Sequence, residues 1–182
     1  MIIPVLIGVV IVLAILLLIV AMQPADFRVS RSAPVAGPPE SVFALVNDLH
    51  RWASWSPWEG IDPAMKRQYE GPEAGPGAVY HWTGNKKVGE GIMTVTESLL
   101  NELIRLRLEF LKPFRGTNAT EFTFKPEGGR TIVTWTMSGK NPFIAKAMHL
   151  FVNMDRMIGS QFEKGLANLN AVVTGKPAGA QG

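Results

Sequence analysis

The sequence predicts an α+β domain in which a curved antiparallel sheet wraps around a long C-terminal helix, preceded by one transmembrane helix. Three patterns predict this architecture. Residues 2–22 form an uncharged apolar run, residues 65–138 hold six segments of strand-like alternation, and residues 142–174 carry an apolar stripe of helical spacing. The chain of 182 residues has room for one domain of ordinary size and a short appendage.

The apolar run is predicted to be a membrane anchor that occupies residues 1–22. The 21 uncharged residues from Ile2 to Met22 would form a helix of about 31 Å, which matches the hydrocarbon core of a bilayer. A cleaved signal peptide would instead show a basic start, a shorter apolar stretch and a small-x-small cleavage site, and none of these is present. A buried core helix is the other alternative, but such a helix usually has a polar face.

Residues 23–25 are predicted to be a linker, followed by a domain over residues 26–174. The linker is too short for a flexible stalk, so the domain should lie close to the bilayer. Arg28 and Arg31 follow the helix while only the amino terminus precedes it, which favours the cytoplasmic side of the membrane. This charge difference is small and leaves the opposite side open. Residues 175–182 are predicted to be a disordered tail.

The composition excludes several classes of function. The chain has no cysteine, which excludes disulfides, thiolate metal sites and cysteine nucleophiles. Its net charge is +3, but its 18 Lys and Arg residues are scattered, so nucleic acid is not an expected partner. The three histidines lack metal-site spacing and no phosphate loop occurs, so neither a metal nor a cofactor is expected. Contact with anionic lipid headgroups stays an alternative to a simple solvated surface.

The first part of the domain is predicted to contain a strand, a short helix and an aromatic loop. The strand covers residues 26–32 and should be broken by the prolines of residues 34–39. The helix starts at Pro38-Pro39-Glu40 and runs to about Arg51. The loop holds three tryptophans that could close a cavity, insert at the lipid interface or be buried in the core: Trp52, Trp55 and Trp58.

Six strands and one long helix are expected to complete the domain. Alternation in residues 104–110 and the Gly128-Gly129 turn indicate an antiparallel meander with one solvated face. Gly89 and Gly91 would permit a bulge or sharp curvature. The strands are predicted at residues 65–70, 78–83, 87–98, 102–111, 117–126 and 130–138. The helix is predicted over residues 142–174, with an apolar stripe formed by Met148, Phe151, Val152, Ile158, Phe162, Leu166, Leu169 and Val173. Gly159 and Gly165 would let this helix approach the sheet closely.

Four stretches resemble the polyketide cyclase/dehydrase branch of the SRPBCC, or START-like, superfamily: PPESVF at residues 38–43, WASWSPW at 52–58, GPGAVYHW at 75–82 and QFEKGLANL at 161–169. The resemblance covers about residues 26–173. It implies the helix-grip fold, in which the sheet and the long helix enclose an apolar cavity. It does not choose a function, since the superfamily includes lipid carriers, hormone receptors and cyclases.

Asp155 is the sharpest candidate for a functional residue, because it is the one charged position along the apolar stripe. If it faces the sheet or the cavity, burial would raise the pKa of its carboxyl, as a general acid or base or a ligand anchor requires. The alternative is a structural partner for Arg28 or Arg31, or a position at the edge of the stripe that reaches solvent.

His81 and Glu90 are further candidates on the predicted strands. His81 lies on the strand face opposite to Tyr80 and Trp82, and an imidazole could transfer protons with Tyr80 or Asp155 as its partner, although a structural histidine is commoner. Glu90 could point inwards or outwards. The apolar lining of a ligand site would come from residues that could equally form the core: Tyr80, Phe110, Phe122, Trp135 and Met154.

The function predicted from these residues is a membrane-anchored module that binds an apolar small molecule such as a lipid, an isoprenoid or a polyketide. Membrane lipid is the other expected partner, and no protein partner can be named. One alternative is an enzyme of cyclase or dehydrase type that uses His81 and Asp155 as acid and base. A second is a module that docks onto a membrane partner.

Overall fold

The computed structural model describes residues 2–150 and 152–176 and begins with an apolar helix, α1, Ile2–Met22. From Ile3 to Met22 this helix is long and apolar enough to cross a bilayer. Its side chains from Ile3 onward are exposed apart from Val20, near the end of α1 that contacts helix α3, Phe143–His149. A core helix would bury at least one face, so α1 is not part of the core of the domain.

Seven strands form one antiparallel sheet in the order β1-β7-β6-β5-β4-β3-β2. The strands are β1 Asp26–Val35, β2 Lys66–Glu70, β3 Val79–Thr83, β4 Glu90–Leu99, β5 Leu103–Lys112, β6 Gly116–Glu127 and β7 Arg130–Lys140. Strands β2 to β7 follow one another along the sheet, and β1 pairs with β7 at the far edge. The predicted antiparallel meander is confirmed.

The first strand is longer than predicted, because Pro34 does not break it. Strand β1 continues to Val35, and Pro34 lies opposite Ile132 of β7. A proline lacks the backbone N–H that a central strand must donate. β1 is an edge strand with one free side, so a proline is tolerated there.

The short helix also differs from its prediction, because it ends at Asn47 rather than near Arg51. Helix α2 is Pro39–Asn47, and a separate 3₁₀ helix follows at Leu49–Ser54. The Asp48 side chain accepts a hydrogen bond from the backbone N–H of His50 at 2.9 Å. This cap starts the new helix and ends the α-helical run.

The predicted long C-terminal helix is confirmed, but it begins at Met154 rather than at residue 142, because a separate short helix, α3, precedes it. Helix α4, Met154–Val173, is separated from α3 because the Asn153 side chain accepts a hydrogen bond from the backbone N–H of Arg156. Val152 of the predicted stripe is exposed, as is Met148, and Phe151 lies outside the described residues. The remaining stripe is buried or half-buried as predicted: Ile158, Phe162, Leu166, Leu169 and Val173.

The two faces of the sheet have different surroundings. We call the face that packs against α4 the inner face and the opposite one the outer face. Along β5, Ile104 and Leu106 on the inner face are buried, whereas Arg105 and Arg107 on the outer face are exposed. The core therefore lies between the inner face, α4 and α2.

Glycines on the sheet and on α4 allow close approach, as the sequence predicts. A Cβ at Gly165 would come within 2.7 Å of the Trp135 ring, and one at Gly91 would meet the Trp82 ring and a backbone carbonyl. The sheet has a register shift between Glu90 and Gly91. Gly91 therefore leaves room for the Trp82 ring, and Gly165 leaves room for the Trp135 ring between α4 and the sheet.

The aromatic loop packs in the core rather than at a lipid interface. Trp52 and Trp55 are buried, and their indole N–H groups donate to the carbonyl oxygens of Val46 and Leu45 in α2. Trp58 is half-buried against Trp135, with ring centroids 5.5 Å apart. Of the three alternatives for these tryptophans, core burial is the one that the structure shows.

Candidate functional site

The inner face is arranged in rows, because paired residues on neighbouring strands point to the same side. Counted from the end next to α1, the rows are Arg67, Trp82, Gly91 and Phe110; then Tyr69, Tyr80, Met93, Leu108, Asn118, Gly139 and Phe27; then Val95, Leu106, Thr120, Met137 and Val29; and then Ile104, Phe122, Trp135 and Arg31. The first two rows lie nearest to α1, because Phe27 follows it closely along β1.

Helix α4 covers the rows farther from α1. Asp155 in its first turn contacts Arg31 of the fourth row, and Asn170 near its end accepts a hydrogen bond from the backbone N–H of Ala36, beyond the end of β1. The helix therefore runs along β1 away from α1. Four residues of the two nearest rows, all on β1, β5 or β6, are only half-buried and define an open end of the inner face: Phe27, Leu108, Phe110 and Asn118.

Three polar side chains lead inward from this open end along β6 and β7. They are Asn118 in the second row, Thr120 in the third and Trp135 in the fourth. Thr120 Oγ1 and Trp135 Nε1 are buried and have no hydrogen-bond partner among the described residues. An unpaired buried polar group costs about 1–3 kcal/mol, and native proteins usually pair such groups with protein, water or ligand atoms. These two atoms are therefore candidates for contact with a ligand.

A carboxylate reaches the inner face from the loop before β2. Glu59 Oε2 accepts a hydrogen bond from Arg67 Nε at 2.6 Å, and Oε1 accepts one from the Tyr80 hydroxyl at 2.7 Å. Burial, together with the hydrogen bond to Glu59, raises the pKa of Tyr80 far above its ordinary value. The hydrogen bond to Glu59 likewise raises the pKa of Arg67. Tyr80 therefore stays protonated and Arg67 charged, and both oxygens of Glu59 are occupied.

Most of the predicted apolar site residues do share the inner face. Tyr80, Phe110, Phe122 and Trp135 lie there, and Met154 is half-buried at the start of α4. The Trp135 ring stacks on Phe162 of α4 with centroids 4.3 Å apart. This stack fills the space between sheet and helix in the fourth row, so the open part of the inner face is the part nearer to α1.

The structure places His81 and Glu90 on the outer face, away from these residues. His81 is half-buried, and its Nε2 lies 3.4 Å from Glu70 Oε1 on the neighbouring strand. Glu90 pairs with Lys112 at 2.6 Å. Both carboxylate pairings lie at the outer surface, so neither side chain lines the inner face. Of the two orientations expected for Glu90, the inward one is wrong, because Gly91 and Met93 occupy the inward positions of β4.

Asp155 lies at the surface, and the expected rise in its pKa is wrong. Its side chain is 60% exposed and pairs with Arg31, whose Nη2 lies 2.8 Å from Asp155 Oδ2. The hydrogen bond from Arg31 lowers the pKa of this carboxyl. Asp155 is thus a structural partner of an arginine, the alternative weighed above. His81 and Asp155 lie on opposite sides of the sheet and are not brought together.

Two hollows of the described surface are open grooves. One, of about 740 Å³, lies mostly on the outer face across β1, β7, β6 and β5, with a mixed-charge lining that includes Arg28, Arg105 and Glu121. The other, of about 470 Å³, lies between α3 and the β5–β6 loop. Neither is the enclosed apolar cavity that the sequence predicts. Among the described residues, no group of three His, Asp or Glu side chains could hold a metal ion.

Sequence reasoning missed Glu59, Arg67, Asn118 and Thr120. A signal for two of them was present in β6, where Asn118 and Thr120 share the alternation of Phe122 and Phe124. Polar residues at apolar positions of a strand indicate buried polar groups. Glu59 carried no such signal, because it stands in a loop whose path depends on the packing of the tryptophans.

Comparison with solved structures supports the same architecture. A protein from Chromobacterium violaceum is 17% identical with a TM-score of 0.57, and the match covers 83% of this chain and 98% of that one. The Aha1 dimer from Colwellia psychrerythraea is 13% identical with a TM-score of 0.59, over 86% of this chain and 99% of that one. A protein encoded in the dynemicin biosynthetic locus is 16% identical with a TM-score of 0.56, over 83% of this chain and 49% of that one.

At these identities the solved structures establish the helix-grip fold alone, and comparison with curated proteins gives no match. The family is established by sequence. The profile described as "Polyketide cyclase / dehydrase and lipid transport" matches residues 26–174, which include the whole sheet and α4. Because that match spans well over half of the chain, the protein belongs to the polyketide cyclase/dehydrase and lipid transport family.

Proposed function

We propose that this protein is a membrane-anchored module that binds an apolar small molecule on the inner face of its sheet. The observation that carries the proposal is the pair of buried, unpartnered polar atoms among the described residues, Thr120 Oγ1 and Trp135 Nε1. They lie among apolar side chains, in the third and fourth rows of the inner face, which follow its open end. A few polar groups in an apolar setting are typical of small-molecule sites.

The chemistry of the two atoms restricts the ligand. An indole N–H can only donate a hydrogen bond, and a threonine hydroxyl can donate or accept one. The apolar neighbours Leu106, Phe122 and Met137 favour a hydrocarbon body. The ligand is therefore a largely apolar molecule that carries an acceptor oxygen, such as a lipid ester, an isoprenoid quinone or a polyketide carbonyl.

The membrane anchor of the proposal is α1. The large apolar side chains of α1 from Ile3 to Ile19 are all exposed, and water disfavours a surface of this size. A bilayer would cover it, since the helix has the length and composition of a membrane span. The open end of the inner face then lies on the membrane side of the domain, because β1 starts four residues after α1 ends. An apolar ligand could pass between bilayer and site over a short distance.

The alternative of an enzyme that uses His81 and Asp155 now lacks its pair of groups. Glu59 also gives no free acid or base, because Arg67 and Tyr80 occupy its carboxylate oxygens. A general acid or base must be able to reach the proton it transfers. Binding without chemistry is the function that the geometry supports best.

The proposal is tested by native mass spectrometry of the full chain, purified in mild detergent from its own host, with extraction of any bound small molecule. We expect one stoichiometric apolar passenger that contains oxygen. For Thr120→Val, the dissociation constant of the re-added passenger should rise roughly fivefold to tenfold, because one hydrogen bond is lost.

The matched control is Thr123→Val, which removes a hydroxyl from the outer face of the same strand. It should retain the passenger at the wild-type dissociation constant. An empty wild-type protein that binds no lipid or polycyclic probe would refute the proposal. Equal weakening by Thr120→Val and Thr123→Val would refute the assignment of the site to the inner face.

A further inference from the structure

The smaller of the two grooves has a basic lining and lies where the domain meets α1. The basic groove, as we call it, is formed by the β5–β6 loop, the end of β7 and α3, with a volume of about 470 Å³. Three cations line it, Arg115, Lys140 and Lys146, and no carboxylate is among its lining residues. The proposed ligand site on the inner face does not include these residues.

Direct contacts hold the basic groove beside the end of α1. The backbone N–H of Asn141 donates to the carbonyl oxygen of Ala25 at 2.7 Å, and Asn141 Nδ2 donates to that of Pro24 at 3.2 Å. Lys146 Nζ donates to the carbonyl oxygen of Ala21, in the last turn of α1, at 3.5 Å. If α1 spans the bilayer, its last turn marks the level of the headgroups, and the groove lies at that level.

Exposed apolar side chains flank the same groove. Phe114 in the β5–β6 loop is 66% exposed, and Phe143 and Ile144 of α3 are 51% and 61% exposed. Each stands close in sequence to a cation of the groove: Phe114 precedes Arg115, and Ile144 comes two residues before Lys146. Apolar side chains beside cations are typical of segments that lie in a membrane interface.

Two of the three cations have no carboxylate partner within the described residues. Lys140 pairs with Asp26 at 2.7 Å, whereas Arg115 and Lys146 make no ion pair there. The basic groove therefore keeps positive charge that a phosphate could neutralise. Near an anionic membrane surface, each such cation favours contact roughly fivefold.

From these contacts we infer that the basic groove docks onto the bilayer that holds α1, with the headgroup phosphate of an anionic phospholipid between Arg115 and Lys146. Phe114, Phe143 and Ile144 enter the interface beside it. The inference rests on the proposed membrane anchoring and adds a second, lipid-specific contact. Docking would also hold the open end of the inner face towards the lipid.

The test uses the absence of native cysteine. A single cysteine is introduced by Ile144→Cys, labelled with an environment-sensitive fluorophore, and the full chain is placed in nanodiscs of phosphatidylcholine with or without phosphatidylglycerol. We expect blue-shifted emission and quenching by brominated lipid in the anionic nanodiscs. The double variant Arg115→Glu with Lys146→Glu should lose both signals, since its equilibrium constant for docking falls by at least roughly 25-fold.

The matched control is Lys125→Glu with Arg130→Glu, which reverses one lysine and one arginine at the distant β6–β7 turn. It should leave the fluorophore signal unchanged. Equal signals in neutral and anionic nanodiscs, or equal effects of the two double variants, would overturn the docking. Saturable binding of inorganic phosphate to the full chain, together with a fluorophore that reports only water in the anionic nanodiscs, would overturn it in favour of a free-phosphate site.

Retention on the nanodisc separates this inference from the proposed function. A chain that leaves the nanodiscs in high salt would overturn both the anchor and the docking. A chain that stays bound through α1, with a fluorophore that reports only water, would overturn the docking alone and leave the ligand site untouched.

Discussion

The inner and outer faces of the sheet are built from the same strands but are stabilised in different ways. The inner face carries large apolar side chains, such as Phe122 and Trp135, that are fully buried. The outer face carries hydroxyl pairs, Ser30 with Thr136 and Ser32 with Thr134, and ion pairs such as Arg105 with Glu97. Stability should therefore depend on the inner face, because exposed polar pairs contribute little.

The largest expected difference between the faces comes from two neighbouring residues of β6. Phe122→Ala should lower the free energy of unfolding by about 3–5 kcal/mol, because a fully buried ring is lost and a cavity remains. Thr123→Ala, on the outer face, should change it by no more than about 0.5 kcal/mol. Urea unfolding of the full chain in detergent, followed by tryptophan fluorescence, measures both. Similar losses for the two variants would remove the proposed distinction.

A second difference concerns the helix that covers the inner face. Gly165→Ala should destabilise the protein by about 1–3 kcal/mol, because its Cβ would lie 2.7 Å from the rigid Trp135 ring and 3.1 Å from Pro57. This cost should exceed the gain in helix propensity of about 1 kcal/mol.

The control for this change is Ser160→Ala, on the exposed side of α4. It should be neutral or slightly stabilising by the same urea unfolding, since alanine is the better helix former there. A stabilised Gly165→Ala protein would show that α4 and the sheet can separate at low cost.

Much of the contrast between the inner and outer faces was predictable from the sequence, but the faces of the residues in β3 and β4 were not. Strict alternation in β5 correctly separates Ile104 and Leu106 from Arg105 and Arg107. In β3 and β4, by contrast, both faces carry mixed residues, so alternation alone could not say that His81 and Glu90 point outwards. Their orientation follows from burial of Tyr80, Trp82 and Met93 under the loops, a tertiary effect.

The predicted start of the C-terminal helix was wrong for a related reason. Apolar residues at helical spacing continue from Met148 to Val152, and the pattern alone predicts one helix. The Asn153 cap ends this continuity locally, and a single asparagine is a weak signal within such a stripe. Asp155 then falls in the first turn of a new helix, where it reaches Arg31 across the surface rather than the interior.

A smaller effect tests the unpaired polar group of the inner face. In protein stripped of any passenger, Thr120→Val should raise the free energy of unfolding by about 1 kcal/mol, because it replaces an unpartnered buried hydroxyl with a methyl group. Thr123→Val should leave it nearly unchanged. Urea unfolding with and without the passenger measures the effect. A clear loss of stability in the stripped Thr120→Val protein would mean that the hydroxyl already has a structural partner.

The smallest expected effect lies at the surface, in the pair of Arg31 and Asp155. The folded-state pKa of Asp155 lies below its unfolded value of about 3.9, so its stabilising effect is present above that pH and is lost as the pH falls through the folded pKa. Asp155→Asn should therefore lower the melting temperature slightly near neutral pH and converge with the wild type in strong acid. Glu163 still pairs with Arg31 in this variant, which limits the loss.

The control is Glu127→Gln, which removes an exposed carboxylate at the β6–β7 turn and should show no such pH-dependent difference. If the melting temperature of Asp155→Asn instead fell further below that of the wild type as the pH is lowered, the ion pair would be contradicted. Only a carboxyl with a raised pKa stabilises the folded state more at low pH.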